Sequence, residues 1–520
     1  MCNEVMNNSK QLKLGTFLSY TQMILSIIIG LLYHPFMIRL LGKSEYGLYS
    51  TVSSTISLLS ILNLGFNAGY IRYYSKYKKD GDYESIYKLN GLFLIIFTII
   101  GAISLICGIM LTFNLQWVFD QGLTDQEYGT AKILMLLLSI NMAISFPTSV
   151  FSMIILANEK FVFLKLLGIF KTIISHIVIL PLLYLGLRSI SMVAVTLVLS
   201  LLTDCIYFIY VKKALKNKFN FRGFEKGLFK SLFAFTGFLA INIVVDQINW
   251  SLDRLLLGRF KGTAEVAIYT VGFSLYQYYA LMSTAISGVF TPRVHNLINS
   301  TRDDLLNQRK VITDLFVKVG RVQFLILGLV SSGIVFFGKP FIHFWSGVGY
   351  EDSYYVTLLL IVPSTIALIQ NVAIEIQCAQ NKHKFRSLAY LVMAIVNLVL
   401  SIFLCQWYGA IGSAIGTAIS LVLANGLIMN IYYHKACNLN VLAFWKNILK
   451  MSLGLIIPIA CGILIVKFIN LYSLVVLFAF IIAYSVIYFV SMWFIGMNDF
   501  EKDLVIKPLK KFKGLILKRK

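Results

Sequence analysis

Charge is scarce in this chain. Only 13% of its 520 residues are Asp, Glu, Lys or Arg, against 58% hydrophobic ones. Soluble domains carry about 25% charged residues, so a soluble globular fold is excluded. Acidic residues are the scarcer sign, 23 against 46 basic. Cysteine is sparse too. Cys2, Cys107, Cys205, Cys378, Cys405, Cys437 and Cys461 show no metal-ligand spacing, and no outer join holds two of them. Neither a disulfide nor a metal site is expected. Long polar stretches are missing. The longest joins between apolar runs, at 72–88, 114–130, 212–230, 291–311 and 338–353, leave no room for an inserted soluble domain. No small-residue cleavage site follows the first apolar run, which passes into Gly30, His34 and Pro35. It is expected to be an uncleaved helix.

What the chain does have is a rhythm of apolar runs. A spanning helix needs about 20 mostly apolar residues. Candidate spans lie near 12–32, 47–69, 89–113, 131–156, 162–185, 190–211, 229–252, 265–290, 312–337, 354–378, 386–405, 409–433, 447–467 and 471–496. The joins between them are alternately basic and nearly neutral. With the N-terminus inside, 36 of the 46 Lys and Arg fall on the cytoplasmic side and 9 on the other, with Lys171 inside a span. Cytoplasmic loops retain basic residues during insertion. An all-α polytopic membrane protein of about 14 helices with both ends in the cytoplasm is therefore expected. The net charge of +23 then reads as contact with anionic membrane lipids, not nucleic acid.

The chain also resembles itself. Leu40-Leu41-Gly42 precedes Glu45-Tyr46-Gly47-Leu48-Tyr49, and Leu256-Leu257-Gly258 precedes Glu265-Val266-Ala267-Ile268-Tyr269. The glycines are 216 residues apart and the Glu and Tyr pairs 220. Arg72 and Arg293 close matching helices, and Pro147 matches Pro363. Ala157-Asn158-Glu159-Lys160-Phe161 corresponds to Ala379-Gln380-Asn381-Lys382-His383 with Lys384-Phe385. Six helices separate the copies, an even number, so both cross the membrane in the same sense. The expected organisation is a six-helix lobe at 1–213, a second at 214–434, two further helices within 435–497, and a basic tail at 498–520. Repeats of this kind are typical of alternating-access transporters.

These residues carry a resemblance. Gly15 enters helix 1. Arg39-Leu40-Leu41-Gly42 follows, with Glu45-Tyr46-Gly47, Leu64-Gly65-Phe66 and Asn158-Glu159-Lys160-Phe161. The second half adds Asp253-Arg254 before Gly258, and Gln380-Asn381-Lys382-His383. In this order the chain resembles, over its full length, the polysaccharide transporter family. This is the Wzx-like oligosaccharide flippases of the multidrug/oligosaccharidyl-lipid/polysaccharide exporter superfamily. The resemblance implies a two-lobed fold of twelve to fourteen helices in the bacterial cytoplasmic membrane. It implies a polyprenyl-diphosphate-linked oligosaccharide as substrate, moved from the inner to the outer leaflet for O-antigen, capsule or a similar polymer. Glycan polymerase or export machinery would be the partners, and no cofactor is expected.

Polar residues inside spans mark the candidate site. Asn242, Asp246, Asn249 and Asp253 recur at steps of four, three and four, within an arc of about 60° on helix 7, with Arg254 at its edge. A charge at mid-bilayer costs about 2.5–3.5 kcal/mol on insertion scales, so such residues face a partner or a water-filled cavity. The stripe reads either as substrate cavity lining or as a polar helix seam. Lys171 and Asp204 sit at similar depth on helices 5 and 6. Either they neutralise each other, or Lys171 faces the cavity and holds a diphosphate. His176 reads as a packing residue. On helix 10, Asn371 and Glu375 share a face. Asp246, Glu375 and Asp204 are the candidates for ion coupling, because a carboxylate in low dielectric becomes a usable proton carrier. Ser53, Ser57, Ser60, Asn63 and Asn67 line one side of helix 2, for packing or for sugar. The tail mixes Leu504, Val505, Ile506 and Leu509 with basic residues and reads as an amphipathic helix on the inner surface.

Two other functions compete. A multidrug or cation antiporter of the same superfamily would have a carboxylate-dominated cavity, whereas Lys171 and Arg254 accompany the acids here. A glycan polymerase or other membrane enzyme would need a substantial catalytic loop, and none is present. No enzymatic activity is expected.

Overall fold

The computed structural model describes residues 2–119, 123–223, 226–301 and 303–507. Every regular element among them is helical. The α-helices are α1 (Cys2–Leu41), α2 (Lys43–Ser57), α3 (Phe66–Asp80), α4 (Tyr83–Phe113), α5 (Asp125–Ala157), α6 (Phe161–Tyr184), α7 (Arg188–Lys213), α8 (Lys226–Trp250) and α9 (Leu252–Phe260). They continue as α10 (Thr263–Ser300), α11 (Leu305–Ser346), α12 (Ser353–Leu368), α13 (Asn371–Ala379), α14 (His383–Leu421), α15 (Met429–Lys435), α16 (Val441–Ser452), α17 (Ile456–Phe468) and α18 (Leu474–Ser491). Ten described helical segments are long and apolar enough to cross a bilayer, or eleven when α12 and α13, bent by 42° at their junction, count as one. Gly409, at φ 57°, interrupts α14, which splits the run 383–435 into the two spans expected there. α8 and α10, of 25 and 38 residues, are also long enough at about 1.5 Å per residue. The result is a polytopic all-α membrane protein, consistent with about fourteen crossings.

The helix starts follow local chemistry. Thr124 and Glu127 cap each other in a capping box at the head of α5. Asp82 accepts from the Ser85 N–H at 2.9 Å at the head of α4. That contact with Ser85 holds the Asp82 carboxyl below the usual carboxylate range. Asp304 and Asn440 play the same part for α11 and α16.

Three expected spans are broken rather than straight. Residues 47–69 form α2, a 3-10 turn at Leu58–Asn63, left-handed Leu64 and Gly65, and then α3. A Cβ on Gly65 would lie 2.7 Å from Leu239 Cβ, so only glycine admits α8 here. Span 229–252 ends at Trp250 and resumes as α9 beyond Ser251. Span 354–378 bends at Ile369–Gln370.

The chain packs as two compact units. One comprises Met1–Thr270 with Tyr390–Gly416, the other Val271–Ala389 with Thr417–Lys520. In the first, Phe66, Tyr70 and Tyr74 of α3 pack with Phe93 and Phe97 of α4 and Phe146 and Val150 of α5. Leu48, Val52 and Ile56 of α2 form a second core with Leu134, Met135 and Val193. α4 meets α5 closely because a Cβ on Gly108 would collide with Ser139, the small-residue contact usual between membrane helices. In the second unit, Phe337, Leu471, Leu477 and Tyr484 pack together, and the Tyr488 hydroxyl donates to the Leu325 carbonyl at 2.8 Å. Helix 499–507 is bolted to α11. The Arg321 guanidinium donates twice to the Glu501 carboxylate, at 2.7 and 2.8 Å, and also to the Gly496 and Asn447 carbonyls. Both side chains are almost fully buried, at 4% and 1% exposure. The rest of the expected amphipathic tail, 508–520, lies outside the described residues.

The internal repeat is present in three dimensions. Phe163 stacks on Tyr210 with centroids 4.0 Å apart, and Phe385 stacks on Tyr432 at 4.2 Å, each partner 222 positions on. Both stacks pin the start of one helix to the end of the next. Left-handed Glu159 and Asn381 form matching turns, as do Lys216 and Asn438. After α7, Ala214 and Leu215 donate to the Tyr210 carbonyl; after α15, Ala436 and Cys437 donate to the Tyr432 carbonyl.

Candidate transport site

The polar stripe of helix 7 does not stay on one helix. Asp246 is exposed on α8, with Asn242 and Asn249 half-buried beside it. Asn249 Oδ1 accepts from Asn397 Nδ2 at 3.2 Å. After the break, Asp253 falls in the first turn of α9 and is 1% exposed. Its Oδ2 accepts from the Tyr269 hydroxyl of α10 at 2.7 Å. Arg254 donates to the Trp250 carbonyl at 2.8 Å across the break. The break is also fastened from α2. Ser57 Oγ lies 3.0 Å from Ser251 Oγ, which donates to Gln247 Oε1 at 2.8 Å. The stripe thus separates into an exposed portion on α8 and a buried, hydrogen-bonded portion on α9.

Lys171 and Asp204 face the same region from α6 and α7, near enough to feel each other's charge. They form no ion pair among the described residues. Lys171 Nζ donates to Ser200 Oγ at 3.0 Å, and Asp204 accepts from Thr148 Oγ1 at 2.8 Å. Lys171 lies on the wall of a cleft of about 490 Å³ between α6 and α7. Its other lining is mostly apolar, including Phe163, Leu166, Phe170, Leu199, Leu202 and Ile206. An ammonium in an apolar trough can receive an anionic headgroup while the trough takes a hydrocarbon chain.

In the second unit, Glu375 is half-buried on α13, just past the bend. Its neighbours at the bend are committed elsewhere. Gln370 Nε2 donates to Asn430 at 2.9 Å, and Asn371 Nδ2 donates to Ser283 at 2.7 Å. The two units hold these groups separately: Lys171, Asp204, Asn242, Asp246, Asn249, Asp253 and Arg254 in the first, Glu375 in the second.

Sequence reasoning missed Tyr269 as the partner of Asp253 and the clustering of His34 with Tyr46. The repeat offered a signal, since Tyr269 matches Tyr49. His176 packs as expected, edge-on to Tyr33 with centroids 4.5 Å apart and with Nδ1 2.7 Å from the Thr172 carbonyl.

The fold is shared with a flippase and with multidrug transporters of solved structure. A lipid II flippase, MurJ, in an inward closed conformation superposes with a TM-score of 0.67 at 18% identity, over 95% of this chain and 99% of that one. The MATE transporter VcmN of Vibrio cholerae, in its bent form, gives 0.54 at 15%, over 83% and 98%. Among curated proteins, a putative O-antigen transporter of Shigella flexneri is 23% identical over 417 residues, 78% of this chain and 93% of that protein. A probable flippase of Haloferax volcanii, AglR, is 28% identical over 184 residues, 34% of this chain and 36% of its own. The family model for polysaccharide biosynthesis protein matches residues 12–297, and the chain belongs to that family.

Proposed function

We propose that this chain is a flippase that carries polyprenyl-diphosphate-linked oligosaccharide from the inner to the outer leaflet of the bacterial cytoplasmic membrane, by alternating access. The observation that carries this reading is Lys171. It is a half-buried cation at membrane depth, on the wall of an apolar cleft, which suits a lipid bearing a diphosphate. The O-antigen transporter and MurJ likenesses support the same class of cargo. In this reading the repeat defines the moving lobes, 1–213 and 214–434, with 435–497 as accessory helices and both termini cytoplasmic. Asn242, Asp246, Asn249, Asp253 and Arg254 line or frame the polar path, and Asp246, Glu375 and Asp204 are candidate ion-coupling groups. Anionic lipids hold the basic cytoplasmic joins, and glycan polymerase or export machinery takes up the product.

The test is flipping of a fluorescent polyprenyl-diphosphate-linked oligosaccharide in proteoliposomes. Wild type is compared with Lys171→Ala, Asp246→Asn and Arg254→Ala. Loss of flipping in these variants supports the reading. A wild type that flips none of several native lipid-linked glycans, yet exports small cations in an Asp246-dependent way, replaces it with a cation antiporter.

A further inference from the structure

The first unit holds a second cleft, remote in sequence from Lys171. It lies between the α1–α2 join, the head of α5 and the head of α7. In the orientation proposed above, this end of the unit faces outward. The volume is about 280 Å³, near the lower end, about 300 Å³, of small-molecule sites. Lys43, Ser44, Gln126, Thr130 and Arg188 line it, with Leu41 and Leu48 as apolar wall.

Two carboxylates complete the lining, Glu45 and Glu127, and both are already engaged. Glu45 accepts from the Ser189 N–H and hydroxyl at 2.8 and 2.6 Å and faces Arg188 at 3.5 Å. Glu127 accepts from the Ser44 hydroxyl, and from the Thr124 N–H and hydroxyl at 3.0 and 2.9 Å. Ser44 Oγ also lies 2.9 Å from Thr263 Oγ1. The acids thus fix the floor. Glu45 is 12% exposed, whereas the Arg188 side chain is 60% exposed and Gln126 is exposed beside it. Two cations, Lys43 and Arg188, balance the two acids. A phosphate would meet the acids and a metal cation the bases. A neutral polyol meets neither obstacle, because each hydroxyl both donates and accepts. Leu41 and Leu48 suit the C–H face of a sugar ring.

The internal repeat supplies a control. Glu265 receives an N–H just as Glu45 does. Yet Gly409 stands where the first half has Arg188, Thr263 where it has Lys43, and Ala264 where it has Ser44. Glycine holds a left-handed φ at little steric cost, and arginine does not. Gly409 has φ 57° and Arg188 φ 50°. The frame is therefore built without an arginine in one copy, and the other copy carries one against its backbone preference. Basic residues are also disfavoured in outer joins. Only 9 of 46 are expected there, and two of them line this cleft.

We propose, resting on the transport reading above, that this cleft is an outer sugar-binding site, which holds neutral sugar residues of the glycan as it emerges. The test uses the full-length protein in nanodiscs. The probes are the lipid-free oligosaccharides released from native lipid-linked glycans, followed by saturation-transfer NMR, which needs no flipping. Wild type is expected to transfer saturation to the sugar protons. Arg188→Gly is expected to weaken binding about tenfold through loss of charge-assisted donors. Its thermal midpoint should be unchanged or raised, since glycine suits that φ. Gln126→Trp, which fills the mouth, is expected to abolish the signal. Excess inorganic phosphate is not expected to displace the sugar. A wild type without saturation transfer, a signal unchanged in both variants, or displacement by phosphate overturns the proposal even where flipping is intact. Sugar held at the cleft of a protein that flips nothing supports the sugar site and overturns the transport reading instead.

Discussion

Glu45 and Glu265 stand 220 positions apart and do the same work twice. Glu45 Oε1 accepts from the Ser189 N–H at 2.8 Å at the head of α7. Glu265 Oε2 accepts from the Ala410 N–H at 2.8 Å, where α14 restarts after Gly409. In each case a residue of positive φ, Arg188 or Gly409, stands just before the donating N–H. A carboxylate at a helix N-terminus satisfies an orphan donor and complements the dipole.

Glu45→Ala and Glu265→Ala are each expected to cost about 1–2 kcal/mol of stability. Glu45→Gln, which keeps an acceptor, should recover part of the loss. Thermal unfolding of the purified protein, followed by fluorescence-detected chromatography, reads both. An unchanged midpoint in either alanine variant would remove the contact from the stabilising set.

Gly409 is expected to tolerate no side chain. Its φ of 57° is left-handed, and a Cβ there would collide with the Glu265 carboxylate. Gly409→Val should lower the folded yield far more than Gly426→Val, whose Cβ meets only Val422 Cγ1 at 3.7 Å. Equal yields of the two variants would refute the reading of this break.

Arg321→Ala or Glu501→Ala should destabilise the protein by about 3–5 kcal/mol, because each leaves a buried charge alone. The double replacement Arg321→Met with Glu501→Leu should recover most of that. Thermal midpoints of the four proteins check this, and a double variant no better than the singles would show that the carbonyl contacts of Arg321 dominate.

Topology is testable at two exposed positions. Val348 is 80% exposed in the join after α11, and Tyr83 is 62% exposed at the head of α4. In a background with the native cysteines replaced, Val348→Cys should react with a membrane-impermeant maleimide added to whole cells. Tyr83→Cys should react only after lysis. The reverse pattern would invert the orientation assigned by the basic joins.

The spans were legible because lipid demands long apolar helices, and the pairing of the two halves because turns and caps recur in order. What stayed hidden were events within and between helices. Nothing in the periodicity of 229–252 marks Ser251 as a break, since serine sits comfortably in a membrane helix. Asp253 was therefore placed on the face of Asp246, although the break buries it against Tyr269. Arg321 counts among the basic residues on the cytoplasmic side. Its partner lies 180 positions away, a distance at which charge patterning carries no pairing information. Lys171 and Asp204 were matched by depth alone, and depth does not reveal that each already has a hydroxyl partner in Ser200 and Thr148.

The stacked pairs Phe163–Tyr210 and Phe385–Tyr432 show that both halves kept the same joinery. The polar stripe shows that they did not keep the same contents. At the 216-residue offset, Gly30, Tyr33 and Met37 occupy the positions that Asp246, Asn249 and Asp253 hold in the second half. The duplication thus supplies the frame in two copies and these polar groups in one. Damage to the frame has a counterpart that still holds its own half together, whereas damage to the polar stripe has no spare.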